Sequence, residues 1–121
     1  MTTTATEVSP RRLAINRLKA AKPLDGAAVD RFLDGREAPI VEGSRCTFLW
    51  RGEADEAWVC QRIVGLPDRI PMRRLRGTDL WWVVLELPEG SRVEYQLEVT
   101  RGTWTERIND PLNPHLSLIH I

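Results

Sequence analysis

Between residues 45 and 108 the chain runs through short stretches in which apolar and polar residues alternate, separated by Gly, Pro and Asp, with no helical repeat between them. Alternation with period two places successive side chains on opposite faces of a pleated strand. Strands that follow one another without an intervening helix pair antiparallel. The pattern is cleanest over residues 92–100, where Val93, Tyr95, Leu97 and Val99 fall on one face and Arg92, Glu94, Gln96 and Glu98 on the other. One face of that strand is core and the other faces water. Residues 45–50, 57–62, 72–75, 80–87 and 103–108 supply the rest. About six short strands at regular spacing predict a mainly β chain folded as an antiparallel β-sandwich.

The segment upstream follows a different period. Ser9-Pro10 offers a hydroxyl N-cap and a proline at the first helical position, where its missing N–H costs nothing. A helix is expected from Pro10 to about Ala21, with Ala14, Leu18 and Ala21 as an apolar stripe and Ile15 beside it. Lys22-Pro23 ends it, and Asp25 caps a second short helix through Val29, Phe32 and Leu33 that Gly35 closes. The expected organisation is a disordered tail over 1–8, a helical segment over 9–37, a β-sandwich domain over 38–109 and a linker over 110–121. Pro111 and Pro114, flanked by Asp110 and Asn113, favour extended and turn conformations, so the linker reads as a connection into a further, missing domain.

With 121 residues, an apolar fraction of 42% and five tryptophans, the chain can build one real core. Seventeen basic and seventeen acidic side chains cancel, so no global field draws it to nucleic acid or to an anionic membrane. Arg11, Arg12, Arg17, Lys19 and Lys22 cluster near the start and read as a solvated helix face. No apolar run of ~18 residues could span a bilayer, and residues 1–8 lack the apolar stretch of a secretory signal. The expected location is the cytoplasm. Cys46 and Cys60 lie on different strands and read as buried thiols, and together with two late histidines they make no metal site. No metal and no cofactor is expected.

Adjacent strand residues face opposite sides, so Trp81 and Trp82 cannot share one core. Trp81 goes with Val83, Leu85 and Leu87, while Trp82 goes with Leu80, Val84 and Glu86. Trp82 is the member of the pair expected at a surface, either under the N-terminal helices or against a ligand, and Trp104 is a second candidate substrate-binding platform. The nucleophile elbow, the zinc-protease helix motif, the phosphate loop and the dinucleotide fingerprint are all missing, and His115 has no serine or cysteine marked out as its partner. No catalytic residue is expected in this chain.

Phe48-Leu-Trp50, the Trp81-Trp82 strand, Leu87-Pro88-Glu89-Gly90, Tyr95-Gln-Leu97 and Asp110-Pro-Leu-Asn-Pro114 occur in this order, and with them the chain resembles the N-terminal domain of the enterochelin esterase family. The resemblance runs over about residues 38–115. It implies an immunoglobulin-like "early-set" sandwich followed by an α/β-hydrolase domain. That domain would be the partner in the same chain, would carry the catalytic serine, acid and histidine, and would hydrolyse a ferric catecholate siderophore ester in the cytoplasm to release iron. Early-set domains also precede the catalytic domains of glycogen-branching enzymes and isoamylases, which leaves a glycogen-type carbohydrate-binding module as the alternative, and a purely structural interaction domain as a third reading. The ending Leu116-Ser-Leu-Ile-His-Ile121 departs from the character of the linker and is similar to the translated adapter tail of some gene fragments, which would place His120 outside any site.

Overall fold

The computed structural model describes residues 13–62, 65–88 and 90–115, together with the backbone of residues 118–120. In chain order the elements are α1 (Ala14–Lys19), α2 (Gly26–Leu33), β1 (Ile40–Glu42), β2 (Arg45–Arg51), β3 (Glu56–Gln61), β4 (Arg69–Pro71), β5 (Arg73–Arg74), β6 (Leu80–Glu86), β7 (Arg92–Arg101), β8 (Trp104–Ile108) and β9 (Leu118–His120). One sheet has the order β1-β2-β6-β5 and the other β4-β3-β7-β8, with β9 pairing onto β7, and every pairing is antiparallel. The chain is thus a β-sandwich with two short helices.

Between the sheets lies a core of Cys46, Phe48 and Trp50 from β2, Trp81 from β6, Val59 from β3, and Val93, Tyr95, Leu97 and Val99 from β7. The apolar half of the β7 alternation is realised, with Val93, Tyr95, Leu97 and Val99 all buried. Phe48 meets the Tyr95 ring edge-on, with centroids 4.8 Å apart and planes at 76°, an arrangement that adds about 0.5–1.5 kcal/mol to the area buried. Glu98 departs from the expected wet face: it is only 8% exposed, because Arg69 Nη2 and Arg107 Nε approach its carboxylate at 2.5 and 3.6 Å. A buried carboxylate needs such partners.

The first sheet is covered on both faces. In register, Trp50 and Trp81 point inward, whereas Leu49 and Trp82 point outward. On that outer side Leu13, Ile15 and Leu18 of the α1 segment and Ala28 and Val29 of α2 close over Leu49 and Leu80. This explains why β2 reads as an almost unbroken apolar run: a strand buried on both faces loses its alternation.

The expected Ser9-Pro10 helix start lies outside the described residues, as does the tail over 1–8. The described α1 begins at Ala14, where no side chain of its own caps it; instead the Ala14 N–H donates to both carboxylate oxygens of Glu42 at 3.1 and 3.3 Å. A residue on β1 therefore satisfies a helix end. α2 is built as its sequence requires: Asp25 accepts from the Ala28 N–H at 2.9 Å, and Gly35 takes φ 69° just beyond the helix. Among the described residues no helix is long and apolar enough to cross a membrane.

Candidate functional site

The Asp-Pro-Leu-Asn-Pro segment is folded back onto the sandwich. Asp110 and Asn113 are 3% and 7% exposed, and both reach the hydroxyl of Tyr95, which points from the inner face of β7. The Tyr95 hydroxyl donates to Asp110 Oδ2 at 2.6 Å and accepts from Asn113 Nδ2 at 3.0 Å. Asp110 Oδ1 accepts from the Leu112 N–H at 2.9 Å, Asn113 Oδ1 accepts from the His115 N–H at 2.8 Å, and the Ala38 N–H donates to the Leu112 carbonyl at 3.0 Å. The side chains thus shape their own turns while gripping the core, and the prolines at 111 and 114 stiffen the loop between them. Burial raises the Tyr95 phenol above its ordinary value, with the Asp110 charge and hydrogen bond adding to the shift. Burial likewise raises Asp110, while its bonds from Tyr95 and Leu112 hold it down. The three side chains form a latch that ties the segment after β8 to the core of the sandwich.

At the opposite end, where β2 passes into β3, a cleft of about 590 Å³ is lined by Gly26, Arg51, Glu53, Arg74, Thr78 and Asp79, among others. Arg51 bridges Asp30 on α2 and Asp79 on the turn before β6, the latter at 3.0 Å through Nε. The hydrogen bond to Asp30 raises Arg51 above its ordinary value; burial pulls the other way, and Asp79 adds to the raise. The side chain of Arg74, in register with Trp81, makes no ion pair or hydrogen bond among the described residues. Gly52 lets the wall form: a Cβ there would lie 2.5 Å from the Trp50 ring, while its carbonyl accepts from Trp81 Nε1 at 3.1 Å. Charges of both signs line this cleft, so it can hold polar groups; the Thr78 hydroxyl in its wall is engaged with backbone, donating to the Leu75 carbonyl at 2.8 Å and accepting from the Leu80 N–H at 3.2 Å.

The two candidate tryptophans are not brought together. Trp82 is half-buried on the helix-covered face of the first sheet, with Lys19 Nζ 4.1 Å from its ring centroid. Its neighbour across the ladder is Leu49, and it presents no open indole. Trp104 begins β8, an edge strand of the second sheet, and is 65% exposed. Its hairpin is held firmly, for Arg101 Nε donates to the Glu53 carbonyl at 2.7 Å and the Gly102 N–H donates to Asp55 at 2.6 Å.

Neither thiol is poised for nucleophilic work. Burial pushes Cys46 up to about 12 and raises Cys60 as well, which leaves negligible thiolate at neutral pH. His115 is exposed, and among the described residues no hydroxyl or thiol bonds to its ring. Sequence reasoning missed Tyr95, Asn113, Arg51 and Arg74. The only signal was the Asp-x-x-Asn spacing beside a strand whose apolar face carries a single tyrosine.

A family model described as "Enterochelin esterase, N-terminal" matches residues 45–118. Among solved structures, the enterobactin esterase of Shigella flexneri, determined in the presence of 2,3-di-hydroxy-N-benzoyl-glycine, is similar at a TM-score of 0.53 and 23% identity, over 64% of this chain and 29% of that one. A pullulanase of Paenibacillus barengoltzii, in complex with maltohexaose and α-cyclodextrin, is similar at a TM-score of 0.50 and 22% identity, over 71% of this chain and 14% of that one. At such identities these likenesses carry the fold alone. The chain spans less than a third of either protein. A search of curated proteins found no match.

Proposed function

The chain belongs to the family of enterochelin esterase N-terminal domains, and from that membership we propose that it is the accessory domain of a cytoplasmic carboxylic ester hydrolase that opens ferric catecholate siderophores and releases their iron. The observation that carries this reading is the extent of the family match, which runs from the first residue of β2 through the latch to the first residue of β9. It therefore includes the Tyr95 strand and the Asp110–Asn113 segment as one unit.

In this reading the chemistry is divided between two domains. Ester hydrolysis through an acyl-enzyme needs a hydroxyl activated by a base that a third group orients, with N–H donors for the oxyanion. Those groups belong to an α/β-hydrolase domain that follows in the same polypeptide. The sandwich supplies a rigid wall and a defined exit, because the latch removes the rotational freedom that a loose linker would leave. Positioning of this kind acts through the geometry of the bound substrate.

The test is a comparison of the full-length gene product with the 121-residue chain. The former should hydrolyse a ferric catecholate triester and lose that activity when the serine of a downstream Gly-x-Ser-x-Gly is replaced, while the latter should give only background. Turnover by the short chain that depends on one of its own serines would sink the proposal.

A further inference from the structure

Trp104 lies on the core-facing side of its sheet, since β8 pairs with β7 such that Leu97, Val99 and Arg101 stand opposite Ile108, Glu106 and Trp104. Leu97 and Val99 are 0% and 2% exposed, yet Trp104 on the same face is 65% exposed. An inward-facing indole left open at the margin of a sandwich is a covering layer short. Glu106, two residues on and on the same face, has only a long contact at 3.4 Å from the Trp104 indole N–H. The edge is also preorganised, because the two hydrogen bonds from Arg101 and Gly102 hold the hairpin against the β2–β3 loop. An exposed aromatic side chain on a hairpin held in this way, next to a carboxylate with no cationic partner among the described residues, is the composition of an interface anchor.

Two other faces are engaged within the described residues. The helices close the outer side of the first sheet. On the outer side of the second, Arg69 stacks over Trp58 at 4.1 Å and joins Arg107 on Glu98, so those charges are satisfied internally. The chain leaves from the other end of the molecule, where β9 pairs with Arg92–Glu94 of β7. With a rise of ~3.3 Å per residue, ten-residue β7 places Trp104 roughly 30 Å from that exit. A domain of roughly 250 residues has a radius of gyration of about 18 Å and so spans about 45 Å, enough to reach the whole β8 edge from its tether.

Resting on the reading that a hydrolase domain follows, we propose that this domain docks on the β8 edge, seating Trp104 in an apolar pocket and placing a basic side chain against Glu106. The partner is a domain of the same polypeptide, and the indole is an anchor between domains. The tether keeps its effective concentration high, so a modest contact suffices.

Hydroxyl-radical footprinting of the full-length gene product, with no ligand added, tests this. Oxidation of Trp104 should fall to about a tenth of its rate in the urea-unfolded protein, as for a desolvated anchor. A native rate near two-thirds of the unfolded one, which is what 65% exposure gives, overturns the proposal. Glu106→Lys should raise Trp104 oxidation several-fold at low salt, and no change would overturn the assigned charge of the partner. Protection that arises only on adding maltoheptaose or a ferric catecholate would make Trp104 a ligand platform and refute docking. Hydrolysis of the catecholate triester, measured on the same preparation, separates the two ideas: activity with an open Trp104 overturns docking alone, and a covered Trp104 without activity overturns the esterase reading alone.

Discussion

Tyr95→Phe removes one oxygen and keeps the ring, so the edge contact with Phe48 survives and the change isolates the latch. The lost hydroxyl donates to a buried carboxylate at 2.6 Å and accepts from a buried amide at 3.0 Å. A hydrogen bond to a charged group contributes about 1.5–3 kcal/mol and a neutral one about 1 kcal/mol, so the variant should lose about 2.5–4 kcal/mol. For a domain of this length, at about 4 °C per kcal/mol, the melting temperature should drop by roughly 10–16 °C. Urea unfolding followed by tryptophan fluorescence should show a lower midpoint with an unchanged slope. The same group sets an alkaline limit. The unfolded phenol ionises near its ordinary value of 10.0 while the folded one keeps its proton, so its contribution is complete below pH 10 and is lost as pH rises above it, at about 1.4 kcal/mol per pH unit. Tyr95→Phe should remove that slope. Asp110 is raised too, so its contribution is present below its ordinary 3.8 and declines as pH rises through its folded value, which means the latch resists acid. A loss below about 0.5 kcal/mol, within the range of ordinary surface changes, would refute the idea that these three side chains hold the segment after β8 on the sandwich.

Two further substitutions probe the sandwich itself. Trp81→Ala empties a 6%-exposed core position and breaks the bond to the Gly52 carbonyl, so it should cost about 3–5 kcal/mol, whereas Trp82→Ala should cost clearly less because its ring is half-buried beneath Lys19; urea midpoints decide, and equal losses would contradict the face assignment. Gly52→Ala would drive a methyl group to 2.5 Å from the Trp50 ring, and an overpacking cost of about 1–3 kcal/mol should appear in thermal unfolding; a neutral result would mean that the wall of the cleft yields freely.

Local pattern carried most of the fold. The parity of Val93, Tyr95, Leu97 and Val99, the opposite facing of Trp81 and Trp82, and the Asp25 cap all follow from backbone periodicity or from hydrogen bonds spanning a few residues, and these act before any long-range contact forms. Three-residue strands such as β1 and β4 are too short for a period of two to register. The same limit applies to the helix end satisfied by Glu42, whose carboxylate comes from 28 residues away. The candidate site depended on tertiary structure still more. Period two says which residues share a side of a strand, but whether that side is wet depends on what packs there. Helices about 50 to 70 residues upstream in sequence cover Trp82; Arg69 and Arg107 sink Glu98 into a face that reads as polar; and only the pairing of β8 with β7 puts the exposed Trp104 on the core-facing side of its sheet, with no layer over it among the described residues. Asp110, Asn113 and Tyr95 were each visible as residues, but only closure of the chain over β7 turned a polar turn and a core tyrosine into one hydrogen-bonded unit, since burial is what makes such bonds strong and their loss costly.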